Sequence, residues 1–213
     1  MSYVLYYAPG AASLAVHWML IELGAEFQAE RLDLAAGDQR SQSFLRINPS
    51  GRVPALAADG QVYTESAALL MLLAERHAEA GFAPAIGDPQ RGKWFELMVY
   101  LANTLLPAMR DWFYADKDGT PADAAAIRGL AQQRIEGAWD RLDTILGDGR
   151  PYLLGEQMTT VDFLATMLMR WSRNMPRPAT TWRSIGPYVL RMRGRKAFGE
   201  VCDREALTEW RNG

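Results

Sequence analysis

Hydrophobic and polar residues alternate in two different ways along this chain, and the change comes near residue 80. Before it, short apolar runs bounded by Gly, Pro and Asp-Gly pairs alternate with segments of helical spacing, which predicts strands and helices in turn. The order is a βαβ unit followed by a ββα unit, with Asp59-Gly60 as a hairpin turn. The predicted strands are 3–7, 27–32, 55–58 and 61–63, and the predicted helices begin at Leu14, where Ser13 is the expected N-cap and Gly24 the stop, and at Glu65.

After that point the apolar positions follow helical spacing almost throughout. The stretch 81–90 carries Gly and Pro and is typical of a linker. The pattern therefore predicts an α/β domain over residues 1–80, a linker over 81–90 and an all-α domain over 91–213. Pro107 lies inside the first long helical run, where its missing N–H predicts a kink.

A Thr-x-x-acid sequence, Thr159 to Asp162, comes directly before a strongly apolar run. This is the signature of a capping box, in which the acid at the third helical position bonds the amide of the cap residue. The pattern indicates that Asp162 stabilises a helix start rather than acting as a catalytic carboxylate.

Charge and cysteine usage narrow the classes of function. With 23 basic and 25 acidic residues, the chain has a net charge of −2 and no electrostatic basis for binding nucleic acid. One cysteine excludes an internal disulfide and a CxxC motif, and two histidines without a surrounding carboxylate pattern predict no metal site. No apolar run is long enough for a membrane span and no signal peptide is evident, so a cytoplasmic protein is expected.

Four segments, in this order and spacing, resemble the glutathione S-transferase family over essentially the whole chain: "LYYAPGAASLAVHWMLIELG", "NPSGRVPAL", "TESAALLMLLAERH" and "GEQMTTVDFLATML". The form "YYAPGAAS" is most similar to the bacterial, beta-like members. The resemblance implies a thioredoxin-like N-terminal domain that binds glutathione and a helical domain that lines the pocket of a small apolar electrophile. It also implies a homodimer.

The resemblance assigns glutathione contacts to specific residues. Val53-Pro54 matches the family's cis-proline element, which pairs with the cysteinyl backbone, although the sequence leaves the isomer of this bond open. Glu65 and Ser66 match the pair that receives the γ-glutamyl end, with simple capping of the helix as the alternative. The candidates for the glycyl carboxylate are Gln39, Arg40 and Arg52.

Conjugation requires a thiolate, and the thiol arrives with glutathione, so a hydroxyl donor and a helix N-terminus suffice to stabilise it. Ser13 is the first candidate donor and Tyr7 the second, while a pure cap for Ser13 and packing for Tyr7 are the alternatives. Ala12 stands where beta-like members carry a cysteine, and alanine cannot form a mixed disulfide with glutathione.

By the same resemblance, Tyr100, Asn103 and Thr104 are the candidate residues of the electrophile pocket. The leading interpretation is a glutathione transferase of alkyl or aryl groups. The alternatives are a glutathione-dependent disulfide reductase without a protein cysteine and a non-catalytic binding or regulatory protein with the same fold. His17, on the apolar side of its helix, is interpreted as structural.

Overall fold

The computed structural model describes residues 2–118, 120 and 122–211, which form two units. The first unit contains the residues up to Ala83 together with the segment that begins at Met192, and the second contains Pro84–Arg191. The division between residues 83 and 84 falls inside the predicted linker. The C-terminal segment differs from the predicted domain of residues 91–213, because Phe198 packs edge-on against Trp18 in the first unit.

A four-stranded sheet in the order β2-β1-β3-β4 forms the centre of the first unit. The strands are β1 (Tyr3–Tyr7), β2 (Phe27–Arg31), β3 (Ala55–Ala58) and β4 (Gln61–Thr64). Strand β1 pairs in parallel with β2 and antiparallel with β3, and β3 pairs antiparallel with β4. The hairpin between β3 and β4 turns at Asp59 and Gly60, both with positive φ, as two-residue turns of this kind require.

The described residues of this unit form four α-helices: α1 (Leu14–Glu22), α2 (Gln42–Ile47), α3 (Ser66–Arg76) and α9 (Lys196–Arg204). Helix α1 is buried at every position from Leu14 to Leu20, because β1, α3 and α9 all pack on it. Helix α2 was not predicted. It has six residues and a single buried side chain, Phe44, which is too short a run to show helical periodicity.

The described part of the second unit is helical. Its helices are α4 (Arg91–Tyr100), α5 (Leu106–Asp118), α6 (Ala124–Leu146), α7 (Thr160–Trp171) and α8 (Ile185–Arg193), the last of which crosses the division between the units. Helices α4 and α5 are joined by a π-helical segment, Leu101–Leu105. Pro107 follows this segment and cannot donate the hydrogen bond of a regular α-helix. The wider π-helical turn accommodates the missing donor at the position where the sequence predicts a kink.

The predicted capping box at the start of α7 is confirmed. Asp162 is fully buried, and its Oδ2 accepts a hydrogen bond from the Thr159 N–H at 2.8 Å. Its Oδ1 accepts from the Leu153 N–H at 2.9 Å and from the Tyr188 hydroxyl at 3.0 Å. One carboxylate therefore holds together the helix start, the preceding loop and α8.

Helix α9 ends in a Schellman turn around a residue that is not glycine. The Leu207 N–H donates to the Cys202 carbonyl at 2.8 Å and the Ala206 N–H donates to Asp203 at 3.1 Å. Ala206 has a φ of 55°, in the left-handed region where helix-ending glycines are common. An alanine in this conformation strains its backbone.

Replacing Ala206 with glycine is expected to stabilise the protein. The substitution removes a left-handed penalty of roughly 1–2 kcal/mol, against a loss of about 0.5–1 kcal/mol from the greater freedom of glycine in the unfolded chain. We expect a small rise in the free energy of urea-induced unfolding. A matched Gly199→Ala variant, inside α9 where a Cβ meets no atom within 4 Å, reports the effect of ordinary helix propensity. Destabilisation by Ala206→Gly would show that Ala206 makes packing contacts that outweigh its strain.

Candidate active site

The loop from Ala8 to Ser13 connects β1 to α1 and presents free main-chain donors. The Ala11 N–H donates to the Ala8 carbonyl at 3.1 Å, and the Leu14 N–H donates to the Ala11 carbonyl at 3.0 Å. Between them, the N–H groups of Ala12 and Ser13 have no hydrogen-bond acceptor among the residues that the structure describes. Free amides at the positive end of a helix favour an anion, so this loop can stabilise a negatively charged group.

Ser13 is turned away from the helix that it was predicted to cap. Its side chain is fully buried, and its Oγ donates to the Ala8 carbonyl and accepts from the Ala8 N–H, both at 3.2 Å. It makes no capping hydrogen bond to α1, and its backbone is already helical. The expected N-cap role is therefore wrong, because the hydroxyl ties the two ends of the loop together instead.

Tyr7 lies at the end of β1 and is nearly buried. Its ring packs against the His17 ring, with the two centroids 4.8 Å apart. Burial raises the pKa of the Tyr7 hydroxyl, and the Glu205 carboxylate raises it further, against an opposing effect of Arg31. The hydroxyl therefore stays protonated and can act only as a hydrogen-bond donor or acceptor, not as a base.

The start of α3 lies next to the loop. The Ser66 Oγ donates to the Ala12 carbonyl at 2.8 Å, which links the N-termini of α1 and α3. Glu65 precedes the helix, is exposed and makes no capping hydrogen bond through its side chain. Its φ of 69° is uncommon for a residue with a side chain, and such strain is concentrated at functional sites.

The bond between Val53 and Pro54 is cis. The turn before it is organised by buried Asn48, which donates from Nδ2 to the Arg52 carbonyl at 2.7 Å and accepts from the Ser50 hydroxyl at 2.8 Å. The segment leading to β3 is thus held by an asparagine that the sequence analysis did not single out.

The candidate cations lie near the same turn. Arg40 and Arg52 are exposed. Gly51 packs so closely on the short 3-10 helix Asp38–Arg40 that a Cβ at this position would lie 3.0 Å from the Gln39 carbonyl oxygen. The backbone beside Arg40 is therefore fixed, while the residue itself is exposed.

The predicted pocket residues of the second unit lie at the junction of α4 with the π-helical segment. Asn103 and Thr104 are exposed within that segment, and Tyr100 is half-buried at the end of α4. The guanidinium of Arg141 lies 4.0 Å from the centre of the Tyr100 ring and is itself paired with Glu96. The Tyr100 ring is therefore held in place by a cation–π contact.

Sequence reasoning missed Glu205. The His17 Nδ1 donates to its Oε1 at 2.8 Å, and the Gly10 N–H donates to its Oε2 at 2.7 Å. His17 and Glu205 are 188 residues apart and both side chains are fully buried. No local pattern signals this pairing, because it depends on α9 packing against α1.

Within residues 2–118, 120 and 122–211, no group of three or more His, Cys, Asp or Glu side chains could hold a metal ion. Over the same residues, every helix is too short or too polar to cross a membrane.

Comparison with known proteins identifies the family. The sequence model for the glutathione S-transferase N-terminal domain matches residues 11–76. Glutathione S-transferase GstA of Escherichia coli O157:H7 is 26% identical over 205 residues, covering 95% of this chain and 98% of that protein. A glutathione transferase from Methylococcus capsulatus has a TM-score of 0.85 and 30% identity, covering 96% of this chain and 99% of its own.

A sphingomonad glutathione S-transferase, solved in complex with glutathione, has a TM-score of 0.84 and 30% identity, covering 96% of this chain and all of its own (100%). These similarities confirm the expected fold class, with a thioredoxin-like N-terminal part and a helical part. Since the identity and coverage extend over nearly the whole length, this chain belongs to the glutathione S-transferase family and is a transferase.

Proposed function

We propose that this protein binds glutathione, stabilises its thiolate and conjugates it to a small apolar electrophile. The observation that carries the proposal is the pair of free N–H groups on Ala12 and Ser13, next to the start of α3. The glutathione bound in the sphingomonad relative supports the same ligand here.

The thiolate needs only modest stabilisation. A free thiol ionises with a pKa near 8.5, and lowering it by about two units takes roughly 2.7 kcal/mol. Hydrogen bonds to a charged group supply about 1.5–3 kcal/mol, and a helix N-terminus adds about 0.3–1 kcal/mol. The amides of Ala12 and Ser13 are available for this role. The Ser13 hydroxyl would have to give up Ala8, and the protonated Tyr7 hydroxyl is the remaining donor.

The other contacts follow from the site. Glu65 and Ser66 would receive the γ-glutamyl end, and the backbone at Val53-Pro54 would pair with the cysteinyl unit. Arg40 and Arg52 are exposed cations for the glycyl carboxylate. In the second unit, Tyr100, Asn103 and Thr104 would contact the electrophile.

A homodimer is part of the proposal. Phe95 and Val99, one turn apart on α4, are 41% and 52% exposed, which leaves an apolar strip that a second copy would cover. Light scattering should give twice the chain mass, and Val99→Glu should shift the protein toward monomer.

The function is tested by titrating the protein with glutathione in a calorimeter and by assaying conjugation with a panel of aryl and alkyl halides. Binding and conjugation are expected. Binding without conjugation, but with reduction of a small glutathione mixed disulfide, would favour the reductase alternative. Absence of binding at millimolar glutathione would overturn the proposal.

Ser13→Ala distinguishes whether the backbone amides of Ala12 and Ser13 or the Ser13 hydroxyl stabilise the glutathione sulfur. Because the hydroxyl bonds Ala8 on both sides, we expect its loss to reduce stability by about 1–3 kcal/mol, since buried groups are left unpaired. The thiol pKa of bound glutathione, followed by thiolate absorbance, is expected to stay unchanged. Ser43→Ala, at an exposed serine, is the control. A raised thiol pKa in Ser13→Ala, with hydrogen exchange of the loop amides from Gly10 to Ala12 unchanged, would instead make Ser13 the thiolate donor.

A further inference from the structure

Glu205 joins the end of the chain to the loop that carries the free amides. Its side chain is fully buried, and each carboxylate oxygen has its own donor: the His17 Nδ1 at 2.8 Å and the Gly10 N–H at 2.7 Å. A buried carboxylate is costly unless it is hydrogen-bonded, so this residue belongs to a built network.

Contacts along α1 and α9 fix the position of this carboxylate. The Arg195 guanidinium, at the start of α9, pairs with Glu22 at the end of α1. Midway, Phe198 packs edge-on against Trp18, with ring centroids 4.9 Å apart. The turn at Ala206 then ends α9, so the backbone that carries Glu205 is held at both ends.

Gly10 is the loop residue whose N–H bonds to Glu205, which lies outside the loop. Its φ is 67°, and it precedes Ala12 and Ser13 by two and three residues. The loop is held from inside by the bonds between Ser13 and Ala8, and from α3 by the bond between Ser66 and Ala12. The Glu205 carboxylate is a further attachment, and it holds the segment between these two.

We propose that Glu205 is a positioning residue for glutathione, because it fixes Gly10 and thereby aims the amides of Ala12 and Ser13 at the sulfur. The inference rests on the proposed function and adds to it a residue from the C-terminal segment. Glu205 does not touch the ligand in this scheme. Its removal takes away the carboxylate that accepts from the Gly10 N–H and from the buried His17 Nδ1, and the loop loses this attachment.

The experiment compares three variants of the full-length protein. Glu205→Ala removes both acceptors, and Glu205→Gln keeps one carbonyl oxygen for the Gly10 N–H. Glu200→Gln changes an exposed carboxylate on α9, the helix that Glu205 follows. The measurements are glutathione affinity, the pH midpoint of kcat/KM for the electrophile at saturating glutathione, and hydrogen exchange of the amides from Gly10 to Ser13. All are made at a temperature where circular dichroism shows each variant folded.

We expect Glu205→Ala to weaken glutathione binding at least tenfold, to raise the pH midpoint and to speed exchange at Gly10. Glu205→Gln should recover most of the affinity, and Glu200→Gln should behave like the unchanged protein. If Glu205→Ala does not fold, Glu205→Gln decides: faster exchange at Gly10 together with a raised pH midpoint supports the positioning role, and a change in one of these two measurements without the other overturns it.

The two proposals fail in different ways. If the unchanged protein binds no glutathione, the proposed function is wrong, and the positioning role of Glu205 is overturned as well. If the unchanged protein binds glutathione and folded Glu205→Ala keeps its affinity, pH midpoint and exchange pattern, only the positioning role is overturned.

Discussion

Replacing Asp162 with alanine is expected to lower the free energy of unfolding by about 3–5 kcal/mol, the scale observed when a buried charged network loses one member. The substitution leaves the N–H groups of Leu153 and Thr159 without their acceptor, and each buried unpaired donor costs about 1–3 kcal/mol. The Tyr188 hydroxyl loses the carboxylate oxygen at 3.0 Å and keeps only the Asp162 carbonyl at 3.5 Å.

Equilibrium unfolding in urea measures this effect. Asp148→Ala is the control, because Asp148 also sits in a turn and bonds its neighbour Arg150, but is exposed to solvent. Its replacement should leave the urea midpoint nearly unchanged. Equal losses in the two variants would show that the Asp162 network contributes no more than a surface pair.

The same residue predicts a dependence on pH. Burial raises the pKa of Asp162 from 3.8 to about 6, although four hydrogen bonds to Leu153, Thr159 and Tyr188 oppose the rise. The folded protein therefore binds this proton more tightly than the unfolded chain. The resulting stabilisation is complete below about pH 4 and is lost as pH rises through 6, by an amount on the order of 3 kcal/mol.

Asp162→Asn isolates this titration from that of the other carboxylates. The difference in unfolding free energy between the unchanged protein and Asp162→Asn should fall between pH 4 and 6 and then level off. A flat difference, or one that grows with pH, would mean that the hydrogen bonds outweigh burial and keep the carboxylate ionised.

Asp162 also shows how far sequence reasoning reaches. The capping box was found because its partners lie three residues apart, within one turn of helix. The bonds to Leu153 and Tyr188 were not, because they join segments that meet only after α7 and α8 pack. The strands and the hairpin were predictable for the same local reason, and α2 was not, since six residues carry too little periodicity.

The residues of the candidate site differ in the same way: some belong to short motifs, and others depend on contacts that form only in the folded chain. Glu65, Ser66 and Val53-Pro54 could be named from short motifs, and their assigned contacts with glutathione stay predictions. The orientation of Ser13 could not be inferred, because a serine before a helix is usually a cap, and here the hydroxyl bonds Ala8 instead. Glu205 could not be inferred at all, since its partners are at the opposite end of the chain.

Ser66→Ala is expected to have the largest effect on glutathione binding. The hydroxyl is nearly buried, lies at the start of α3 and donates to the Ala12 carbonyl at 2.8 Å. In the proposed complex the hydroxyl leaves the Ala12 carbonyl and donates to the γ-glutamyl carboxylate instead, and a hydroxyl donor to a charged group contributes about 1.5–3 kcal/mol. Removing it should therefore weaken binding roughly tenfold to a hundredfold.

Two comparisons distinguish a direct contact from a displaced loop. Ser43→Ala removes an exposed hydroxyl of the same unit, and it should keep the affinity for glutathione. Cysteinylglycine lacks the γ-glutamyl group, so Ser66→Ala should weaken its binding much less than that of glutathione. Equal weakening for the two ligands would place the effect on the Ala12 carbonyl and the loop, whereas unchanged binding of glutathione would remove Ser66 from the site. A direct contact between Ser66 and the γ-glutamyl group can contribute only to a ligand that carries this group, so the difference between glutathione and cysteinylglycine measures that contact.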